Sequence, residues 1–179
     1  VVEGYRPGVV ERLRADYATL ISINPRIICC SISGFGQTGP MRLVPGHDIN
    51  YISVGGALSL IGEDGGPPVP PMNIVADFAG GGLHAAMAIM AALLARERTG
   101  KGQYVDIAMS DGSTYLIASM ISGYLQGGKV SRRGTTATSC PSKIFPERNT
   151  SRPGAGSAAG KLLKRIKTGM SESHIMLLV

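Results

Sequence analysis

The sequence predicts an α/β protein with long helices, and three observations support this fold class. The run Arg26–Ser33 is apolar and has the length of a strand that is buried on both faces, as in a parallel sheet. A glycine-rich loop, Gly34–Pro40, follows it directly. The segment Asn73–Arg98 is rich in Ala and Met and long enough to predict a single long helix. Because ligands of open α/β sheets bind beyond the carboxyl ends of the strands, we expect a site close to the glycine loop.

The remaining elements are predicted from periodicity and from residues that start helices. Gly8–Leu20 is predicted as a helix because its apolar residues recur on one face. Gln103–Met109 alternates between apolar and polar residues, which is typical of a strand. Asp111 is predicted to cap a further helix, Gly112–Leu125.

Part of the long helix is apolar enough to raise the question of a membrane span. Phe78–Ala95 has the required length, but His84 and the run Gly80–Gly82 weaken that interpretation because glycine contributes little to insertion. We expect a buried helix in a soluble core and no membrane span. His84 is interpreted as a core histidine whose hydrogen bonds are satisfied.

The positive charge is concentrated at one end of the chain. The net charge is +6 over 179 residues. Residues 1–140 hold eleven Lys or Arg and ten Asp or Glu, whereas residues 141–179 hold seven and two. No RNP-like, zinc-finger or helix-turn-helix pattern accompanies this charge, so no nucleic-acid partner is expected. We expect a partial domain over residues 1–139 and a divergent, disordered basic tail over residues 140–179.

The three cysteines do not have the spacing of metal ligands. Cys29 and Cys30 are adjacent within an apolar run, and Cys140 is distant. Adjacent cysteines in such a run favour buried, small apolar side chains. We therefore expect no metal site and a reducing compartment. The expected location is the cytoplasm, with a mitochondrion or a peroxisome as the alternatives in a eukaryote.

Two side chains are candidates for chemistry. His47 stands where one helix-like segment begins, and Asp77 lies in the otherwise apolar run 74–78. A charged carboxylate in such a run is costly unless it is paired or functional. Asn73, one helical turn earlier, shares a face with Asp77. The alternatives are that His47 is a helix cap, that Asp77 is a hydrogen-bonded structural group, and that the glycine loop is a plain surface turn.

Five segments, in this order, resemble class III CoA-transferases, and most of all the α-methylacyl-CoA racemase branch. The matching segments are EGYRPGVVERL (3–13), SISGFGQTGP (31–40), GHDINY (46–51), NIVADFAGGG (73–82) and RTGKGQYVDIAMSDG (98–112). Each segment alone is a weak signal, and five in the family's order are a specific one. The family's members are about twice this length or more, so we expect a chain truncated at both ends, corresponding to the end of the family's Rossmann-like large domain.

The resemblance implies a function and a set of site residues. It implies acyl-CoA substrates, an interlocked homodimer, and no metal or redox cofactor, since coenzyme A is part of the substrate. His47 and Asp77 match the catalytic histidine and aspartate of the racemase branch. The positions that match the CoA-thioester site are Gly4, Tyr5, Arg6, Arg12, Gly46, Asp48, Ile49, Asn50 and Tyr51, with Asn73 beside the aspartate.

Three functional hypotheses follow from the resemblance. The first is racemisation at the α-carbon of a 2-methylacyl-CoA, with His47 and Asp77 as the two bases. The second is CoA transfer to a carboxylic acid, in which Asp77 attacks the thioester and the histidine is not required. The third is an inactive fragment that only binds CoA or a full-length subunit. The family's continuation carries a glutamate that supports the histidine, and residues 141–179 offer no counterpart to it.

Overall fold

The structure is a computed structural model, and it describes residues 1–128 and 130–134. Cys140 and the predicted basic tail lie outside the described residues. Within them, three parallel strands form one sheet in the order β1 (Val2–Glu3), β2 (Ile28–Ser33) and β3 (Gln103–Ala108). The predicted α/β class with a parallel sheet is confirmed.

Strand β2 is the central strand of the sheet, and five of its six residues are buried. Cys30 pairs with Val2 on one side and with Val105 on the other. Cys29 and Cys30 are free and buried, and burial raises the pKa of both thiols. The prediction that these two cysteines act as small apolar side chains in the core is confirmed.

The predicted helix Gly8–Leu20 is wrong, because two short helices replace it. Helix α1 spans Val9–Arg12 and helix α2 spans Tyr17–Ile23. Asp16 begins α2: its two carboxylate oxygens accept hydrogen bonds from the N–H and the hydroxyl of Thr19, at 3.0 and 2.7 Å. An aspartate in this position satisfies the open N–H groups of a new helix, so the chain restarts there instead of continuing.

The centre of the chain contains the longest helical stretch. Helix α3 spans Asp48–Val54, and a 3₁₀ turn follows at Ala57–Leu60. A π-helix, Ile74–Leu83, then runs without interruption into α4, His84–Thr99. The predicted long helix is confirmed, but its first ten residues are wound more widely than an α-helix. Such π-helical segments are rare and frequently occur at functional sites.

This long helical stretch is buried on one side only. Ala85 and Ala92 pack against the sheet in a core that includes Ile28, Val105 and Ile107. The opposite side is apolar but 57–69% exposed, at Leu83, Met87, Met90 and Leu94. The expectation of a buried helix is therefore wrong for this side. Ile74–Thr99 is long and apolar enough to cross a membrane by length and composition, which for one helix is weak evidence and does not indicate a span.

The predicted roles of His84 and Asp111 are also wrong. His84 is exposed and stacks on Tyr115, with ring centroids 6.2 Å apart. Asp111 lies inside α5 (Met109–Leu116), because β3 leads directly into that helix and its last residue, Ala108, occupies the N-cap position. The N–H of Ser110 donates to the carbonyl of Gly34 at 3.0 Å, which ties the start of α5 to the glycine loop. Helix α6 follows at Ala118–Gly127.

The π-helix and α5 touch backbone to backbone at a pair of glycines. A Cβ placed on Gly112 would overlap the carbonyl group of Gly80. A Cβ placed on Gly80 would lie 2.9 Å from the N–H nitrogen of Ser113. Side chains at either position would push the two helices apart, so the small residues here set the distance between them.

Replacing Gly112 with alanine should destabilise the fold. The added methyl group meets backbone, which cannot rotate away, and overpacking of this kind costs about 1–3 kcal/mol. Gly123 is the matched control because it is also helical and a Cβ added there would have no atom within 4 Å. There Gly123→Ala should stabilise by about 0.5–1 kcal/mol through helix propensity. Urea denaturation of both variants checks this, and equal midpoints would contradict the close contact.

Candidate active site

A cavity of about 210 Å³ opens at the carboxyl ends of all three strands. Its walls include Gly4, Tyr5 and Arg6, which follow β1, Gly34, which follows β2, and Met109, which follows β3. This is the edge at which open α/β sheets bind their ligands.

The cavity brings together only part of the predicted set. Of the predicted substrate-binding residues it is lined by Gly4, Tyr5, Arg6, Gly46 and Tyr51. Arg12 is exposed at the end of α1 and does not line it. The other predicted site residues do not line the cavity and lie at the starts of α3 and the π-helix: His47, Asp48, Ile49, Asn50, Asn73 and Asp77.

Tyr51 is a buried residue whose ring forms part of the cavity wall. Its hydroxyl donates to the carbonyl of Gly46 at 2.6 Å, and its ring meets Phe35 edge to face at 5.1 Å. A Cβ on Gly34 would overlap this ring, and a Cβ on Gly46 would lie 2.7 Å from its nearest atom, so both positions require glycine. Burial raises the pKa of Tyr51, and the charge of Asp77 adds to it, while the charge of Arg6 lowers it.

His47 occupies the position directly before α3. Its backbone is extended, with φ −128° and ψ 174°, and its side chain is exposed. Its N–H donates to Oδ1 of Asn50 at 3.0 Å, and its carbonyl accepts from the N–H of Asn50 at 2.9 Å. His47 is therefore the N-cap residue of α3, as the structural alternative predicts; Asn50 fixes its backbone, and its side chain is exposed to solvent.

Asp77 lies in the first turn of the π-helix and is half-buried. Burial raises the pKa of its carboxyl group, and the negative charge of Asp48 raises it further. A hydrogen bond from the side chain of Asn73 and the positive charge of His47 act in the opposite direction. The predicted proximity of Asn73 and Asp77 is therefore present, and a raised pKa suits a carboxylate that gives and takes protons.

Asp48 and Ile49, the first two residues of α3, differ in burial. Asp48 is buried, and its Oδ2 accepts from the N–H groups of Ala76 and Asp77 at 2.7 and 2.9 Å. Ile49 is exposed. The carboxylate of Asp48 thus bonds to the backbone of the π-helix, which residue patterns alone do not reveal.

Arg42 is a wall residue that sequence reasoning missed. It lines the 210 Å³ cavity and also a larger one of about 480 Å³, whose walls include Glu3, Tyr17, Ser31 and Tyr104. An arginine in a loop between a glycine-rich turn and a helix has no pattern that distinguishes it from a solvated surface charge. Its guanidinium is suited to binding phosphate.

Within the part of the chain that the structure describes, no group of three or more His, Cys, Asp or Glu side chains could hold a metal ion. The expectation that no metal or redox cofactor is needed stays a prediction.

The structure thus places His47 directly before α3 and Asp77 in the first turn of the π-helix, and neither of them lines the cavity at the carboxyl ends of the strands. The chain belongs to CoA-transferase family III, because the sequence model of that family matches residues 1–152. The predicted resemblance is confirmed.

Relatives with different activities are similar to this chain. The α-methylacyl-CoA racemase of Mus musculus is 47% identical over 116 residues, which cover 65% of this chain and 30% of the relative. The acetyl-CoA:oxalate CoA-transferase of Acetobacter aceti is 38% identical over 133 residues, covering 74% of this chain and 34% of the relative. The chain thus spans about a third of the length of these relatives.

Solved structures agree with the fold. A CaiB/BaiF family protein from Brucella suis superposes with a TM-score of 0.71 at 38% identity, covering 76% of this chain and 36% of that one. A hypothetical protein of Mycobacterium tuberculosis gives a TM-score of 0.64 at 32% identity, covering 72% of this chain and 37% of that one.

The raised pKa of Asp77 predicts that this carboxylate lowers stability at neutral pH. In the folded state it holds its proton above the ordinary pKa of 3.8, so stability falls as the pH rises from 3.8 through the folded-state pKa. Asp77→Asn should therefore be more stable than the wild type at pH 7, and the difference should shrink as the pH approaches 3.8.

The control for this measurement is Asp16→Asn. The hydrogen bonds from Thr19 lower the pKa of Asp16, so loss of this charge should reduce stability at pH 7 and have less effect as the pH falls. Thermal unfolding of both variants, from pH 7 down to a pH below 3.8, measures the two slopes, since the effect of Asp77 changes above 3.8 and that of Asp16 below it. Slopes of the same sign would contradict the electrostatic difference between the two carboxylates.

Proposed function

We propose that this chain belongs to an enzyme that racemises 2-methylacyl-CoA thioesters at the α-carbon by two-base proton transfer. The observation that supports this most is that His47 and Asp77 lie on two connected helix starts: His47 directly precedes α3, and Oδ2 of the next residue, Asp48, accepts from the N–H of Asp77 at 2.9 Å. The similarity to α-methylacyl-CoA racemases at 47–48% identity gives further support.

Inversion of a carbon centre requires a base on one face and an acid on the other. In the proposed mechanism, His47 removes the α-proton of one enantiomer and Asp77 returns a proton from the opposite face. For the other enantiomer the roles are exchanged. The raised pKa of Asp77 helps both roles, because a catalytic group works best when its pKa is near the working pH.

The intermediate of this reaction is an enolate, and its oxygen needs hydrogen-bond donors. The first intrahelical hydrogen bond of α3 is donated by the N–H of Asn50, to the carbonyl of His47. The preceding N–H groups, of Asp48 and Ile49, stand at the open start of the helix, where intrahelical acceptors do not exist. These two donors are proposed to bind the thioester oxygen.

The CoA part of the substrate requires cations and a cavity. Arg6 lines the cavity at the carboxyl ends of the strands and is proposed to bind CoA phosphate, for which guanidinium geometry is suited. Arg12 does not line the cavity, and its binding to CoA phosphate stays a prediction.

The α-proton of a 2-methylacyl-CoA should exchange with solvent deuterium in the presence of the chain. His47→Ala and Asp77→Ala should each reduce this exchange by about 10²–10⁴-fold, the usual contribution of a general acid or base. NMR of the thioester in D₂O measures the exchange, after the folding of every sample has been checked.

The matched control is His84→Ala, because His84 is also an exposed histidine but lies on a different surface, against Tyr115. This variant should exchange at the wild-type rate. No exchange from the folded wild type would reject racemisation for this chain and leave CoA transfer or an inactive fragment.

CoA transfer is the second candidate, and the similarity to CoA-transferases at 38–39% identity favours it. In this reaction the carboxylate of Asp77 attacks the thioester carbonyl, forms a mixed anhydride and releases CoA as the thiolate. Because the histidine is not required, the same His47→Ala variant separates the two functions. It should reduce exchange by the same large factor and retain most of any CoA transfer.

An interlocked homodimer and a cytoplasmic location remain proposals. The exposed apolar side of the long helical stretch, at Leu83, Met87, Met90 and Leu94, supports association, because apolar surface of this kind is commonly covered in an assembly. Sedimentation equilibrium should give twice the mass of one chain, and a single-chain mass at micromolar concentration would contradict a stable dimer.

A further inference from the structure

The carboxylate of Asp48 is buried although it stands at the start of α3. The residue is 3% exposed, and its Oδ2 accepts two backbone hydrogen bonds, from Ala76 at 2.7 Å and from Asp77 at 2.9 Å. Burying an ionised carboxylate is costly unless it is hydrogen-bonded. The two hydrogen bonds offset part of this cost, and their donors show which part of the fold they stabilise.

The donors are the open N–H groups of the π-helix. The first N–H groups of a helix have no acceptor within that helix, and those of Ala76 and Asp77 belong to its first turn. A negative charge at this end also interacts favourably with the helix dipole. Asp48 thus caps a helix that starts 26 residues further along the chain than its own position.

We propose that Asp48 is a positioning residue: its carboxylate joins the start of the π-helix to the start of α3 and keeps a negative charge beside Asp77. This inference rests on the proposed function, since it concerns the geometry of the two proposed bases. His47 precedes Asp48 directly, and the N–H of Asp77 is one of the two donors. One side chain thereby fixes where both bases stand.

The charge of Asp48 acts in addition to its hydrogen bonds. Within the described residues, its Oδ1 is buried and has no hydrogen-bond partner. Burial is the main cause of the raised pKa of Asp77, and the charge of Asp48 is the next. Two further titratable groups belong to this part of the chain: His47, directly before α3, whose charge lowers that pKa, and Tyr51, whose own pKa is raised by burial and then by the charge of Asp77.

The other elements packed against the π-helix also carry titratable side chains. These are Asp111 and Tyr115 on α5, Cys29 and Cys30 on β2, Tyr104 and Asp106 on β3, and the helix's continuation with His84. The causes of the raised pKa of Asp77 lie instead at the start of α3 and in burial. The effect of Asp48 can therefore be measured separately.

Two substitutions separate the hydrogen bonds from the charge. Asp48→Asn keeps the size and one oxygen that can accept from both N–H groups, but it removes the charge. The pKa of Asp77 should then fall toward its ordinary value, and the acid limb of the exchange rate for the enantiomer deprotonated by Asp77 should move to lower pH. Asp48→Ala removes both features and should lower kcat for exchange by about 10–100-fold with little change in KM, as expected for misplaced catalytic groups.

The matched control is again Asp16→Asn, which neutralises an aspartate that caps a helix start away from this site. It should leave the pKa of Asp77 and the exchange rate unchanged. The pKa is measured on the full chain by NMR titration of the side-chain carboxyl carbon of Asp77, which needs no turnover.

The titration distinguishes the failure of this inference from the failure of the proposed function. A wild type that does not exchange rejects racemisation, while the titration of Asp48→Asn still tests the inference. If Asp48→Ala does not fold, Asp48→Asn decides by titration alone. An unchanged pKa of Asp77 in Asp48→Asn, or exchange at the wild-type rate in folded Asp48→Ala, overturns the proposal.

Discussion

The site depends on one buried carboxylate that satisfies the open end of another helix. Asp48 accepts from the N–H groups of Ala76 and Asp77, and these bonds connect residues that are 28 and 29 positions apart in the chain. Without them, the start of the π-helix would bury polar groups that have no partner, at a cost of roughly 1–3 kcal/mol each. The same bonds hold His47 and Asp77 on adjoining helix starts.

Backbone contacts made possible by glycine complete this arrangement. Gly80 and Gly112 let the π-helix approach α5, and Gly34 and Gly46 make room for the ring of Tyr51. Since α5 follows β3 directly and Tyr51 belongs to α3, these contacts connect the sheet to both helix starts. The position of the site is thus a consequence of close packing, not of a flexible loop.

The elements that can be predicted from the sequence are those whose signals are local. The apolar run of β2 and the length of the helix ending at Thr99 are clear from residue patterns, as is the chemical interest of His47 and Asp77. What could not be predicted depends on distant partners. From the sequence alone, Asp48 is an ordinary acidic residue in the first turn of a helix, because its partners in the π-helix are distant in the chain. His84 is predicted to lie in the core because an apolar sequence does not show which side of a helix is covered. The start of α2 is not evident because a capping aspartate, Asp16, outweighs an apolar periodicity.

Racemisation requires the α-carbon of the substrate to lie between His47 and Asp77, and a crystal structure with a bound 2-methylacyl-CoA thioester would show whether it does. We expect the imidazole and the carboxylate to approach the α-carbon from opposite faces, with the thioester oxygen at the start of α3. A thioester whose carbonyl carbon lies against the carboxylate of Asp77, with the α-carbon out of reach of His47, would contradict it and favour CoA transfer.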